Sequence, residues 1–316
     1  MMMQMVLRRI GIGIAVLFVV SIIVFIMTSI LPGDVAQIIL GQSATPETLA
    51  ALRAQLGLDQ PWYMRYLMWL GDMVTGDLGI SKAGGATISS LIDSRLGNTM
   101  MMAGLVATIS IPISIVLGLL AAMHPGTWLD RIVTFGTLSL ISVPEFFIAT
   151  ILVLVLAVNL GWFNATVFLN GDESFWQLFQ KLAMPVFTLV IVVSAQMIRM
   201  TRAGILNVMS SPYIEMAILK GVPRRRIILR HAFLNAIGPI ANVIALNLAY
   251  LVSGVVIVET IFSYPGLAKL MIDGVQTRDL PLVQACAMIF CGTYVILILI
   301  ADIASIVSNP RLRHPK

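Results

Sequence analysis

Three acidic side chains set in apolar surroundings, Glu145, Glu259 and Asp302, are the chemically conspicuous residues of this 316-residue chain. An ionised acid at the centre of a bilayer costs about 2.5–3.5 kcal/mol on insertion scales, so such groups face protein or water. They then line a solute path, carry protons or sit at an interface. Glu145 directly follows Pro144, whose ring removes a backbone N–H and frees a carbonyl, conditions that favour a polar pocket. Glu259 lies near the end of its apolar stretch, where a gate is a natural role, and Asp302 is close enough to a basic flank to be interfacial. Catalytic chemistry is poorly supplied. His124, His231 and His314 form no His-Glu-x-x-His pair, there is no Gly-x-Ser-x-Gly elbow, and no Gly-x-x-x-x-Gly-Lys-Ser/Thr loop is present to hold a nucleotide. Cys286 and Cys291 share one apolar run and read as packing residues. The 19 methionines, clustered at Met1–Met3 and Met100–Met102, lack the spacing of a copper path and suit adaptable packing. No catalytic residue, metal site or bound cofactor is expected.

The elements that must position these groups follow from composition. Hydrophobic residues make up 59% of the chain and charged residues 11%, with a mean hydropathy of +0.96. A soluble domain has about 45–50% apolar and about 25% charged residues, so a water-soluble enzyme and a disordered chain are both excluded. Six stretches reach the roughly 20 apolar residues a spanning helix needs: Ile10–Leu31, Thr99–Met123, Ile132–Leu160, Ala183–Ile205, Ile240–Ile261 and Leu282–Val307. The third is longer than a bilayer requires and contains Pro144, which predicts a tilted or kinked helix. The first has no small-residue cleavage site after it and is read as a retained anchor. The net charge of +5 is a topology signal rather than a sign of nucleic acid binding. With both termini cytoplasmic, Arg8, Arg9, Arg131, Arg199, Arg202 and the Arg224–Arg226 run fall inside with few acids, which satisfies the positive-inside rule.

This gives an all-α polytopic membrane protein with four regions. Residues 1–31 form a tail and first span, 32–98 an extracytoplasmic subdomain after it, 99–307 the remaining five spans, and 308–316 a cytoplasmic tail. Leu49–Leu56 and Trp62–Met73 are amphipathic stretches of the extracytoplasmic region, expected to lie on the membrane surface. Trp62, Trp69, Trp162 and Trp176 suit an interfacial aromatic belt. The largest cytoplasmic feature is the loop 206–239. In it, Ser211 is a good N-cap, Pro212 suits the first helical position, Gly221 suits a left-handed stop, and Pro223 opens the next helix. The spacing predicts a helix over Pro212–Lys220, too short to be stable alone in water. Something must pack against it. Cations at a helix N-terminus oppose its dipole, so Arg224–Arg226 call for an anionic partner, either lipid headgroups or protein.

Taken together, Glu215, Ala217, Gly221, His231-Ala232, Asn235-Ala236 and Pro239 resemble the cytoplasmic signature loop of ABC-importer permeases. The His-Ala-x-x-Asn-Ala-x-x-Pro run is most similar to the oligopeptide/dipeptide (peptide/nickel) branch. The resemblance extends along the chain through Leu31-Pro32-Gly33-Asp34, Leu56-Gly57-Leu58-Asp59-Gln60-Pro61, Tyr66-Leu67 and Gly76-Asp77-Leu78-Gly79. It continues through Trp128-Leu129-Asp130-Arg131, Ser142-Val143-Pro144-Glu145-Phe146, Val258-Glu259-Thr260-Ile261-Phe262, Tyr264-Pro265-Gly266-Leu267, Arg278-Asp279 and Asn309-Pro310-Arg311. Departures are Met216, Ile218 and Leu219, which make the short helix more apolar than usual, and Ile80-Ser81-Lys82 after the Gly-Asp-Leu-Gly box.

The resemblance implies an ABC-importer permease fold whose short helix couples to an ATPase, through Glu215, Ala217, Gly221, Arg224, Arg225, His231 and Asn235. It implies a second homologous permease subunit, two cytoplasmic ABC ATPases that bind the ATP, and an extracytoplasmic solute-binding protein. The setting it implies is a bacterial inner (plasma) membrane. The cargo it implies is a di- or oligopeptide or a related small solute. Glu145 and Glu259 are candidates for the translocation path or gate. Two alternatives are a proton-coupled secondary transporter working through Glu145 and Glu259, and a nickel-chelate or other non-peptide permease of the same family.

Overall fold

The computed structural model describes residues 2–30, 40, 44–55, 59–169 and 171–308. The motifs Leu31-Pro32-Gly33-Asp34, Leu56-Gly57-Leu58 and Asn309-Pro310-Arg311 lie outside the described residues, as does nearly all of the tail 308–316. Helices dominate because hydrocarbon offers the backbone no hydrogen-bond partner other than itself. They are α1 (Met2–Ile30), α2 (Pro46–Gln55), α3 (Trp62–Thr75), α4 (Ile88–Met123), α5 (Trp128–Ser142), α6 (Glu145–Leu152), α7 (Phe175–Met209), α8 (Pro212–Leu219), α9 (Phe233–Ile261), α10 (Leu267–Gln276) and α11 (Leu280–Ser308). Two π-helical segments adjoin them, Val153–Asn159 after α6 and Ile227–Ala232 before α9. Among the described residues, α1, α4, α7, the helix leading into α9, and α11 are long and apolar enough to cross a membrane.

The remaining expected span is corrected by the structure. Ile132–Leu160 is not one kinked helix but two, α5 and α6, meeting at about 100°. The corner is dictated locally. Val143, preceding a proline, is driven to extended backbone (φ −98°, ψ 128°). Pro144 then caps α6, its carbonyl accepting from the N–H groups of Phe147 (3.0 Å) and Ile148 (3.2 Å). The loop 206–239 is likewise mostly helical, because α7 runs on to Met209 and a turn at Arg224–Arg226 leads through the π segment into α9.

The chain divides into two compact units. One comprises Met1–Ile10, Thr99–Pro265 and Thr293–Lys316. Its central helix is α7, buried along much of its length against α4, α6 and α9 through Met102, Leu189, Val193, Met197, Leu251, Val255 and neighbours. The crossing of α4 and α7 is close because Ser110, Ser114 and Gly118 recur every four residues, a small-residue seam of the kind that lets membrane helices approach. A Cβ placed on Gly118 would lie 2.8 Å from Thr201 Cβ and 3.0 Å from the Ile198 carbonyl oxygen. Asp302, expected to be interfacial, pairs with Arg9 at 2.9 Å.

The other unit comprises Gly11–Asn98 and Gly266–Gly292. Its core gathers Ile88, Ile92, Leu267, Leu270, Leu282, Ala285 and Cys286. The Gly-Asp-Leu-Gly box makes a turn: Gly76 ends α3 in the left-handed region, and the Asp77 carboxylate accepts from the Gly79 N–H at 2.9 Å. Asp279 is buried and accepts from the Ser81 hydroxyl at 2.5 Å and the Ala83 N–H at 3.2 Å, fastening that loop to the head of α11. Trp69 is half-buried, its ring 5.7 Å from Phe25 and 6.1 Å from Tyr66. Trp62, Trp162 and Trp176 are exposed, in keeping with an interfacial position.

Adding bulk at the α4–α7 crossing has a defined outcome. Gly118→Leu lowers stability by about 2 kcal/mol or more, since backbone as well as the Thr201 side chain must move. Gly104→Leu, on the same helix but with open space around it, serves as the control. Thermal unfolding in detergent measures both, and equal Tm values for the two variants would show the crossing to be slack.

Candidate coupling surface and membrane cavity

The short helix α8 is built from its ends inward. Pro212 opens it, as expected, and the carbonyl of Ser211 accepts from the N–H groups of Ile214 (2.9 Å) and Glu215 (3.3 Å). Ser211 holds the N-cap position, but its hydroxyl makes no capping bond, so the proline and backbone alone start the helix. At the other end the helix stops at Leu219, with Lys220 as cap. Gly221 is left-handed at φ 74°, its N–H donating to the Ile218 carbonyl (2.9 Å) and that of Val222 to the Ala217 carbonyl (3.1 Å). This is a Schellman stop, and it satisfies carbonyls a helix end otherwise leaves bare. No atom lies within 4 Å of a Cβ built on Gly221, so backbone conformation rather than space demands glycine there.

One face of α8 is secured by the chain itself. Ile214 is fully buried and Ala217 half-buried, in a cluster with Ala122, Ile205, Ile227, Ile228, Ala232 and Ala236. The ends of α4 and α7 and the π segment thus supply the packing that so short a helix needs. A second, adjoining stripe is apolar and exposed: Tyr213 is 43% accessible, Met216 54% and Leu219 75%, at three-residue intervals. Glu215 is exposed in the first turn, where a carboxylate suits the helix dipole. Arg224, Arg225 and Arg226 are also exposed just beyond the Pro223 cap. His231 is half-buried, and Asn235 donates from Nδ2 to the His231 carbonyl at 2.6 Å, tying it to its own helix. Glu215, Ala217, Gly221, Arg224 and Arg225 therefore gather around α8, while His231 and Asn235 belong to the π segment and start of α9 that brace it.

An ion pair absent from the sequence-level candidates supports this base. Asp130, in the first turn of α5, is buried and takes a two-pronged contact from Arg202 of α7, with Nε at 2.5 Å and Nη2 at 2.9 Å. The Gly126 N–H adds a third bond at 2.9 Å. Arg202 stands one turn before Ile205 in the α8 cluster. The signal was present in Trp128-Leu129-Asp130-Arg131, but nothing in linear spacing pairs an acid with a base 72 residues away.

The two carboxylates proposed for a path are not brought together. Glu145 heads α6 at the Pro144 corner and is half-buried in a cavity of about 590 Å³, which Val143, Pro144, Gln196, Asn247 and Tyr250 also line. The Tyr250 hydroxyl donates to Glu145 Oε2 at 3.1 Å. Glu259 is outside that cavity, fully buried near the end of α9, and accepts from the Thr99 hydroxyl at 2.7 Å. The buried Tyr264 phenol lies beyond the end of α9, its pKa pushed above the ordinary tyrosine value by burial and by the charge of Glu259. Glu259 thus belongs to a closed polar knot in the core. Among the described residues no three His, Cys, Asp or Glu side chains gather as they would around a metal ion.

Several long apolar helices, a short helix packed against the ends of three of them and a cavity at a broken span define a polytopic membrane protein. Residues 114–314 match the family described as binding-protein-dependent transport system inner membrane component, and residues 2–115 match the N-terminal part of such membrane components. The chain belongs to this family of inner-membrane permeases. It is 33% identical over 98% of its length to a Sinorhizobium fredii protein named as a peptide ABC transporter permease, covering 99% of that relative. It is 35% identical over 99% of its length to a Brucella melitensis protein named as a peptide transport system permease, covering 100% of it. A glutathione transport system permease of Escherichia coli is 33% identical over 99% of this chain and 100% of its own length. Membership of a binding-protein-dependent family speaks against the alternative of a proton-coupled secondary transporter.

Removing the Asp130 charge tests the base on which α8 stands. Asp130→Asn leaves Arg202 without its anion and lowers stability by about 3 kcal/mol, read as a lower Tm in detergent. The exchange of both charges, Asp130→Arg with Arg202→Asp, restores part of that loss. A double variant no better than the singles would mean the contact acts through packing rather than charge.

Proposed function

We propose that this chain is one of two homologous permease subunits of an ATP-driven importer, with both termini cytoplasmic and α8 presented to an ABC ATPase. Two such ATPases bind and hydrolyse ATP, and a solute-binding protein on the opposite face delivers the cargo. The observation that carries this reading is the two-sidedness of α8. Ile214 and Ala217 anchor it to the ends of three spans, while Tyr213, Met216, Ile218 and Leu219 offer an apolar surface to water. An exposed apolar helix face beside a basic run calls for a protein groove of complementary shape and charge. The basic run also supports the orientation, since the positive-inside rule places Arg224–Arg226 on the cytoplasmic side.

The mechanical consequence follows from rigidity. The Schellman stop and the buried Ile214 let α8 transmit a push without flexing, so movement of the ATPases tilts α4, α7 and α9 together. Rigid-body rocking of packed helices is an established way to open a site to alternate sides. The cavity at the Pro144 corner is the candidate path through the membrane. The cargo class proposed is short peptides, in line with the names of the relatives, which refer to peptides and to glutathione.

Gly221→Leu tests the coupling role. A side chain in the left-handed region costs about 1–2 kcal/mol, which rotates the end of α8 while leaving the Ile214 anchor in place. The complex still assembles, ATP hydrolysis continues, and uptake per ATP in proteoliposomes falls several-fold. Uptake at the wild-type ratio would remove the lever role from α8.

A further inference from the structure

Beyond serving as a passage, the cavity at the broken span has a chemistry of its own. Its walls are mostly aliphatic, from α5, α7 and α9, and Glu145 is the single charged residue lining it among the described residues. No Lys, Arg or His reaches that carboxylate there. Its one hydrogen-bond partner among the described residues is the Tyr250 hydroxyl, which donates to Oε2 and leaves Oε1 open. Asn247 commits its Nδ2 to the Val243 carbonyl at 2.8 Å, so its amide oxygen remains an acceptor in the same cavity. The site therefore offers acceptors and negative charge in a low-dielectric setting, where attraction for a cation is stronger than in water.

We propose that Glu145, oriented by Tyr250 at the Pro144 corner, recognises the ammonium group of the cargo as it passes through the membrane. The proposal rests on the reading of this cavity as the path for short peptides. An ammonium carries three N–H donors and no acceptor, matching Glu145 Oε1, Oε2 and the Asn247 carbonyl. A divalent metal would need more hard ligands than one carboxylate supplies. The cavity volume of about 590 Å³ lies within the range of small-molecule sites, and aliphatic walls tolerate varied side chains. A fixed charge that reads only the amino group would thus suit cargo of many sequences. The competing structural role for Glu145 is to offset the dipole of α6 from its first turn; that role has no dependence on the cargo's amine.

The test uses the complex purified with its partner subunits in nanodiscs, without binding protein, and measures equilibrium binding of trialanine and N-acetyl-trialanine up to millimolar concentrations. Wild type is expected to bind trialanine roughly tenfold or more tightly than the acetylated form, the size of one charge-assisted hydrogen bond. Glu145→Gln abolishes the difference and Glu145→Asp keeps part of it. Equal affinity of wild type for the two peptides, no saturable binding of trialanine, or discrimination surviving in Glu145→Gln would overturn the proposal. Leu246→Trp and Leu140→Trp, both filling the cavity from exposed positions, test the path itself by uptake in proteoliposomes. Normal uptake by both removes the path reading. Blocked uptake without amine discrimination removes only the ammonium recognition.

Discussion

Backbone amides have no partner in hydrocarbon except one another, and the whole architecture answers to that constraint. Long helices close their own hydrogen bonds, and side chains facing lipid are free to be apolar and exposed, as along α1 and α5. Interruptions of the ladder are then informative, because each must be satisfied by protein or water. Two such interruptions are at Pro144 and Gly221. At the first, a proline turns the chain by about 100° and its neighbours line a cavity. At the second, a left-handed glycine stops a helix whose carbonyls are taken up by the next two N–H groups.

Between those two breaks the load is carried by close helix contact. Small residues let α4 meet α7 near Gly118, and the Asp130–Arg202 pair ties the start of α5 to α7 a few residues before the α8 cluster. Breaking a buried pair strands a charge, whereas keeping it fixes two elements at a defined register. A short helix of marginal intrinsic stability acquires a definite position in this way, with a greasy outer surface left for something else to cover. That surface, rather than any catalytic group, is what makes an importer reading physical.

The two acids proposed for a path have opposite fates. Glu259 is sealed, bonded to Thr99 and close to the buried Tyr264, and contributes to packing of a polar knot. Glu145 faces a cavity, with the Tyr250 hydroxyl as its one hydrogen-bond partner among the described residues. Both look alike in sequence, as one acid in an apolar run. The difference is made by what other helices bring alongside, α4 in one case and the Gln196 and Asn247 faces of α7 and α9 in the other.

Much of the fold was legible beforehand because its signals are local. Apolar length marked the spans, Pro212 and Gly221 marked the limits of α8 to within a residue, and the ordered short motifs marked the family. At Pro144 proline chemistry announces a break, but the angle depends on how α5 and α6 each pack. Ser211 holds the N-cap position without a capping bond, since a good N-cap residue type does not oblige its hydroxyl to bond. What sequence alone determined was therefore the membrane setting, the helical elements and the permease family, all consequences of composition and near-neighbour chemistry. Tertiary structure decided the partnership of Asp130 with Arg202, the burial of one face of α8, and which carboxylate meets a cavity. Those depend on residues far apart in the chain reaching contact distance, and no pattern along a single segment encodes that distance.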